Sequence, residues 1–243
     1  MNLKARSLLT VLMTLLCGMA ALAYMPGPDI IRECPKCRTV LEQTTMMSGN
    51  TFGARFWTDG KVVASMLPDR PWLVKCPKCD TLFWIDEAKQ LGEQRRWAKD
   101  KNWPNAIQPG HPTEAEFLSL LGSAELPEKK ELYLRRRAWW AANDAARTND
   151  TGTASWSPAQ RANLQALANL LDERDSDQRI TKAEVLRELK RFDDCIRLLT
   201  QPFDTERQAE VAAFIKGMAE LKSWTVKEIK ADTEPNQGIE GTK

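Results

Sequence analysis

The spacing of the hydrophobic residues changes near residue 86, and this change predicts two parts of different structure. Up to that point, short apolar runs alternate with turns that contain Gly, Pro and Asp, which is typical of β-strands. The clearest runs are Thr51–Trp57 and Lys61–Met66, and the Thr58-Asp59-Gly60 segment between them favours a β-hairpin. Beyond residue 86, apolar residues recur at the spacing of one helix face.

Signals for helix starts recur through the second part. Thr113 with Glu116 has the form of a capping box, and Ser157-Pro158 with Gln160 combines a capping serine, a first-turn proline and a glutamine. The predicted helices are Asp86–Asp100, a short helix from Thr113, Pro127–Arg147, a helix from Ser157, a helix pair within residues 182–199, and Thr205–Ser223.

The long helix predicted from Pro127 carries two local clusters. Trp139 and Trp140 are adjacent, so they cannot both face the same side of a helix. The Arg135-Arg136-Arg137 run has acidic residues around it, and we expect it to form a solvated face.

The segment 182–199 resembles a tetratricopeptide helix hairpin. Small, large, aromatic, small and large side chains stand at the positions typical of that repeat, namely Ala183, Leu186, Phe192, Cys195 and Leu199. The resemblance covers one repeat. It implies a helical array whose concave surface binds a protein or peptide partner. Because such repeats usually have alanine where this chain has Cys195, that thiol is expected to be buried and inert.

Two identical tetrapeptides, Cys34-Pro-Lys-Cys37 and Cys76-Pro-Lys-Cys79, lie in the β-rich part. Each turn directs two thiolates the same way, and two such turns together form the tetrahedral four-sulfur set of a structural zinc ribbon or a rubredoxin-type iron site. Residues 24–86 resemble the zinc-ribbon family. This resemblance implies that the four cysteines hold a structural Zn²⁺, with iron as the less favoured metal. The chain departs from the family at Arg38 and Asp80, where glycine is common.

Disulfides are the competing interpretation of these cysteines. Paired Cys-x-x-Cys motifs can close as disulfides in an oxidising compartment or act in thiol exchange. A metal is favoured because a β module of this size is marginally stable alone, while a zinc site supplies roughly 10–16 kcal/mol of apparent folding free energy. Since four protein sulfurs leave no open position for water, the metal would be structural and not catalytic.

Composition and charge restrict the classes of partner. The chain has 243 residues with 42% hydrophobic and 28% charged residues, which is typical of a globular protein. The formal net charge is +2, and both excess charges, Lys4 and Arg6, lie at the N-terminus. The remainder is neutral, so it lacks the basic surface that binding of nucleic acid or anionic membranes requires.

The N-terminus resembles an export signal. Lys4 and Arg6 precede an apolar segment, Leu8–Leu16, and Ala21-Leu22-Ala23 has the form of a cleavage site. The alternative is an uncleaved anchor, since Ser7–Met25 carries no charge. Both interpretations place the rest of the chain outside the cytoplasm, in the periplasm or on the periplasmic side of the inner membrane.

No catalytic constellation stands out in the sequence. The only histidine, His111, lies in a Pro-Gly-His-Pro loop, and we identify no serine or cysteine arrangement that it would activate. We therefore predict a protein that is not an enzyme.

Together these observations predict an α+β protein with a small β-rich zinc ribbon followed by a mostly helical region. Its predicted parts are a signal peptide or anchor (1–23), a zinc-ribbon module (24–86), a helical linker region (87–126), a tetratricopeptide-like domain (127–230) and a flexible tail (231–243). The predicted function is an exported zinc-binding scaffold or adaptor with a protein or peptide partner. The alternative is an extracytoplasmic thiol–disulfide redox or metal-handling protein that uses the two Cys-Pro-Lys-Cys pairs.

Overall fold

The structure is a computed structural model that describes residues 25–98, 101–122, 125–149 and 155–230. The segments predicted as signal peptide or anchor (1–23) and as flexible tail (231–243) lie outside the described residues. Small antiparallel sheets and helices are segregated along the chain, so the architecture is α+β. Among the described helices, none has a stretch long and apolar enough to cross a membrane.

The described residues form ten short strands and six α-helices. The strands are β1 (Met25–Pro26), β2 (Asp29–Glu33), β3 (Val40–Gln43), β4 (Met46–Ser48), β5 (Arg55–Trp57), β6 (Val62–Val63), β7 (Leu73–Lys75), β8 (Leu82–Trp84), β9 (Gln90–Gln94) and β10 (Glu228–Ile229). The helices are α1 (Glu114–Leu121), α2 (Glu128–Asn149), α3 (Pro158–Leu170), α4 (Ser176–Glu188), α5 (Phe192–Leu199) and α6 (Glu206–Glu220).

The chain divides into two compact units. The first comprises the described residues up to Ala54 together with Val63–Pro112, and the second comprises Arg55–Val62 with the described residues from Thr113 onward. In the first unit, β2 is the central strand of an antiparallel sheet in the order β3-β2-β9. Strands β7 and β8 form a separate antiparallel hairpin, and β1 pairs with β4.

The prediction of a helix at Asp86–Asp100 is wrong. A 3-10 turn at Ile85–Glu87 is followed by β9, which pairs antiparallel with β2. Gly92 lies opposite Ile31 in this pairing, and a Cβ atom at Gly92 would come within 2.5 Å of the Trp103 ring. The amphipathic pattern of this segment does not lead to a helix, because the central strand β2 needs a hydrogen-bonded partner on both edges.

The predicted β-hairpin exists, with shorter strands than expected, and its part from Arg55 to Val62 belongs to the second unit. The Gly60 N–H donates to the Trp57 carbonyl at 2.9 Å, and Gly60 has φ +77°, a conformation that favours glycine. On its other edge, β5 pairs with β10 near the end of the described chain. A bidentate ion pair between Arg55 and Glu228 joins the same two strands. The hairpin, which we assigned to residues 24–86, thus packs in the helical unit.

Helix starts follow the two predicted capping residues, Thr113 and Ser157, each of which caps a helix with a complete capping box. Thr205, predicted as the first residue of the last helix, is the capping residue of α6 and also forms a capping box. Helix α4 is capped by Asp175, whose carboxylate accepts from the Gln178 N–H at 2.9 Å.

The predicted helix hairpin within residues 182–199 is present as α4 and α5. Its small and large positions are buried, its aromatic residue packs against the same core, and α6 packs on both helices. These residues are Ala183, Leu186, Phe192, Cys195 and Leu199. Cys195 is fully buried as expected, and burial raises the pKa of its thiol to about 12. The thiol is therefore uncharged and shielded from reagents.

Five ionisable side chains are buried together in the second unit. Arg187 pairs with Glu184 at 2.5 Å with both side chains fully buried, and Arg147 pairs with the buried Asp59 of the hairpin turn. Glu188, the fifth, accepts hydrogen bonds from neighbouring side chains. Three acidic side chains and two arginines thus interact where solvent is excluded. This cluster fixes the hairpin turn against α2 and α4.

Candidate metal centre

Both cysteine motifs form the same tight turn. In the first, the Cys34 N–H donates to the Thr39 carbonyl at 2.9 Å, and the Arg38 N–H donates to the Cys34 carbonyl at 3.1 Å. In the second, the equivalent bonds join Cys76 to Thr81 and Asp80 to Cys76, each at 2.9 Å. The two turns therefore expose their sulfur atoms in the same way.

Each turn is closed by a non-glycine residue in the left-handed region. Arg38 has φ 63° and Asp80 has φ 57°. These are the two positions at which the sequence departs from the glycine common in zinc ribbons. The turn geometry is kept despite that departure, at a conformational cost of about 1 kcal/mol per residue.

A β-hairpin positions each turn. Glu33 of β2 pairs with Val40 of β3 on either side of the first turn, and Lys75 of β7 pairs with Leu82 of β8 on either side of the second. Since antiparallel pairing fixes the register on both sides, each pair of sulfurs is held at the end of a rigid ladder.

The four sulfur atoms converge. Cys34 Sγ lies 3.7 Å from Cys79 Sγ, Cys37 Sγ lies 3.5 Å from Cys76 Sγ, and all four atoms lie within 4.8 Å of one another. With Zn–S bonds of about 2.3 Å, the sulfur–sulfur edge of a tetrahedron is about 3.8 Å. The cluster therefore fits a metal ion. Both of these pairs join one motif to the other, as a shared ion requires.

The same distances disagree with disulfides. A disulfide requires sulfur atoms about 2.05 Å apart. Each of the five cysteines in the described ranges is a free thiol. The arrangement is that of four separate ligands.

The four cysteines of the cluster differ in how deeply they are buried. Cys34 and Cys76 are fully buried, while Cys37 and Cys79 are half-buried. Apolar side chains pack around the cluster, among them Leu41, Val74, Phe83 and Ile85. This shell excludes water from the two inner sulfurs.

Two threonine hydroxyls favour the thiolate form of the outer sulfurs. Thr39 Oγ1 lies 3.1 Å from Cys37 Sγ, and this hydrogen bond lowers the pKa of Cys37 to about 6. Thr81 Oγ1 lies 3.3 Å from Cys79 Sγ and likewise lowers the pKa of that thiol. For Cys76, burial raises the pKa to about 11. A bound cation would supply the charge that the buried thiolates lack.

Sequence reasoning missed these threonines, although a signal for them was present. Both motifs read Cys-Pro-Lys-Cys-x-Thr, so the hydroxyl recurs two residues after the second cysteine. A hydrogen-bond partner that orients a ligand is a usual part of a metal site.

His111 is not a member of the cysteine cluster. It lines a cavity of about 220 Å³ together with Met46 and Arg70, and among the described residues neither a serine nor a cysteine lines that cavity.

Comparisons with protein-family models, with curated proteins and with solved structures give no match for this chain. The site is therefore interpreted from its own geometry, which defines a cluster of four cysteines able to hold a metal ion.

Proposed function

We propose that this protein is a non-enzymatic, exported scaffold or adaptor whose β-rich unit is a zinc ribbon with one structural Zn²⁺. The observation that carries the proposal is the convergence of four sulfur atoms within 4.8 Å, two from each of two hairpin turns. Cys34, Cys37, Cys76 and Cys79 would be the ligands. Bound there, zinc would cross-link the two hairpins and stabilise the fold of the unit.

The ligand set supports a structural role. All four ligands are protein sulfurs, so a tetrahedral ion has no position left for water or substrate. Four thiolates also suit the soft coordination that selects zinc over magnesium or calcium. Iron in the same tetrahedral site is the less favoured alternative, and metal analysis separates the two.

The adaptor role rests on the helical unit. A tetratricopeptide-like hairpin formed by α4 and α5, with α6 stacked on it, would present a surface for a protein or peptide partner. The described helices number fewer than a long solenoid has, so the surface would be short. This step is an analogy of fold and not of site chemistry.

Export is supported by the N-terminal sequence. Lys4 and Arg6, the apolar segment after them and Ala21-Leu22-Ala23 together have the form of a signal peptide. The protein would then act in the periplasm, where unligated Cys-x-x-Cys pairs are exposed to oxidation. A bound metal would protect them.

Metal analysis combined with thiol counting tests the metal site. We expect one Zn²⁺ per chain in the purified protein, and no disulfide between the four clustered cysteines. Cys34→Ser should abolish stoichiometric zinc binding, whereas Cys195→Ser, a matched change at a buried thiol outside the cluster, should leave it intact. Substoichiometric metal with reducible disulfides would instead establish the thiol–disulfide alternative.

Crosslinking tests the adaptor role. A photoreactive crosslinker introduced on the exposed face of α6 in cells that make the full chain should capture a specific protein partner. Fractionation of the same cells should place the chain in the periplasm or on the inner membrane, and a cytoplasmic chain would contradict export.

A further inference from the structure

A cavity of about 350 Å³ lies in the second unit, between α2, α4, α6 and the turn of the β5–β6 hairpin. This volume falls within the range of about 300–1,000 Å³ typical of small-ligand sites. Trp140, Ile180 and Val211 give the cavity an apolar wall. Thr181 and Gln208 add polar groups. The cavity can therefore hold a group that is partly apolar and partly polar.

Four charged side chains line this cavity, and three of them already have partners within the described chain. The three are Asp59 with Arg147, Asp177 with Gln208 at 2.7 Å, and Arg207 with Glu210 at 3.2 Å.

Arg136 is the fourth, and no described residue forms a hydrogen bond or ion pair with it. Its Nε atom is buried and unsatisfied. Burial lowers the pKa of its guanidinium, and no carboxylate opposes that effect. The preceding arginine, Arg135, by contrast pairs with Glu131 at 2.7 Å. Since a partly buried charge without a partner is costly, an anion bound in the cavity would offset this cost at Arg136. This corrects our expectation that residues 135–137 form a solvated face.

The other lining charges indicate which anion fits. Asp59 and Asp177 border the same cavity, so a doubly charged phosphate would be repelled more strongly than a singly charged carboxylate. A carboxylate also matches the planar guanidinium in two parallel hydrogen bonds. The Asp177 carboxylate and the Gln208 side chain could meet the amide groups of a peptide.

We propose that this cavity binds the carboxylate of a peptide, with Arg136 as its counter-ion and the Trp140 wall beneath its apolar side chain. The inference deepens the interaction role proposed above and rests on it for the nature of the partner. It assigns that role to a defined position, at which the C-terminal end of a peptide would enter.

Titration of the intact protein tests the site, with the Arg136 Nε–H and Trp140 indole signals followed by NMR. The probe is N-acetyl-alanyl-leucine, and the matched probe is the same dipeptide as its C-terminal amide. We expect the acid to bind at least tenfold more tightly than the amide. Arg136→Gln should weaken binding of the acid at least tenfold. Arg161→Gln, the same charge change at an exposed residue of α3 outside the cavity, should not alter it.

Equal binding of acid and amide, or unchanged affinity in Arg136→Gln, would overturn the proposal. Isovalerate binding as tightly as the dipeptide would overturn the peptide assignment in favour of a free small acid. Tighter binding of inorganic phosphate would overturn the carboxylate assignment. Arg136→Gln removes an unpaired charge, so its melting temperature should not fall, and loss of binding would not reflect unfolding. Zinc content, measured on the same samples, reports separately on the metal site.

Discussion

The indole N–H of Trp139 donates a 2.7 Å hydrogen bond to the carboxyl group of Glu188, and both side chains are fully buried. Asn143 donates to the same carboxyl group at 3.1 Å. Burial raises the pKa of Glu188 well above its usual value, and the negative charges of Glu184 and Asp59 raise it further. Arg187 and the Trp139 hydrogen bond oppose that shift without reversing it. Glu188 is thus a buried carboxyl group that favours its neutral form.

This shift predicts how stability depends on pH. Because the pKa of Glu188 is higher in the folded than in the unfolded chain, its contribution is complete below the unfolded pKa and is lost as pH rises through the folded pKa. Glu188→Gln keeps a neutral group of the same shape. Chemical denaturation should show that this variant loses less stability than the wild type as pH rises from about 5 to 8.

A second glutamate offers a control of opposite sign. Hydrogen bonding from Lys182 lowers the pKa of Glu173, so the contribution of Glu173 is present above its unfolded pKa and is lost as pH falls through the folded one. The unfolding free energy of Glu173→Gln should therefore depend less on pH under acidic conditions. Its pH dependence near neutrality should be the same as in the wild type. Identical profiles for the two variants would refute the role assigned to Glu188.

The left-handed residues of the cysteine turns make a second prediction. Arg38→Gly should raise the unfolding free energy of the zinc-loaded protein by about 1 kcal/mol, because glycine adopts a positive φ without steric cost. Arg38 also forms an ion pair with Glu33, but the arginine side chain is mostly exposed to solvent. Loss of this ion pair should therefore change the unfolding free energy little. Asp80→Gly should behave in the same way.

A residue of the same turn serves as the comparison. Lys36 does not have a positive φ, so Lys36→Gly should lower stability through the added freedom of the unfolded chain. If glycine proved equally destabilising at residues 36 and 38, the strain at Arg38 would be disproved. Denaturant titration followed by tryptophan fluorescence measures both variants.

Local signals in the sequence were sufficient for the cysteine site and for several helix starts. The repeated Cys-Pro-Lys-Cys motif identified all four clustered cysteines, since the information lies within each turn. The capping residues Thr113 and Ser157 likewise act within one helical turn, and both predictions are confirmed.

The pairing of strands that are far apart in the sequence could not be predicted from local patterns. Strand β5 pairs with β10, which lies far away in sequence, and no local pattern in Arg55–Trp57 indicates that partner. Strand β9 was mistaken for helix because its amphipathic spacing does not reveal that β2 has a free edge. The buried Arg136 Nε, which has no hydrogen-bond partner among the described residues, depends on the packing of α2, α4 and α6, and a run of three arginines does not indicate it.

Removal of the metal should affect the two units differently. Zinc supplies much of the folding free energy of a small cysteine-ligated module. A strong chelator should therefore remove hydrogen-exchange protection from the amides of β2, β3, β7 and β8, while amides of α4 and α6 remain protected. Helix content measured by circular dichroism should change little. Protected strand amides after complete metal removal would show that the first unit does not need the ion.

The threonine hydroxyls beside the outer sulfurs lead to the last prediction. Thr39→Val removes the group that lies 3.1 Å from Cys37 Sγ while it keeps the shape of the side chain. Loss of such a ligand-orienting hydrogen bond typically lowers metal affinity by about 10–100-fold. Competition with a chromogenic chelator should show this loss for Thr39→Val and for Thr81→Val. Thr39→Ser retains the hydroxyl and should bind zinc like the wild type, so equal weakening by serine and valine would mean that the methyl group matters and the hydrogen bond does not.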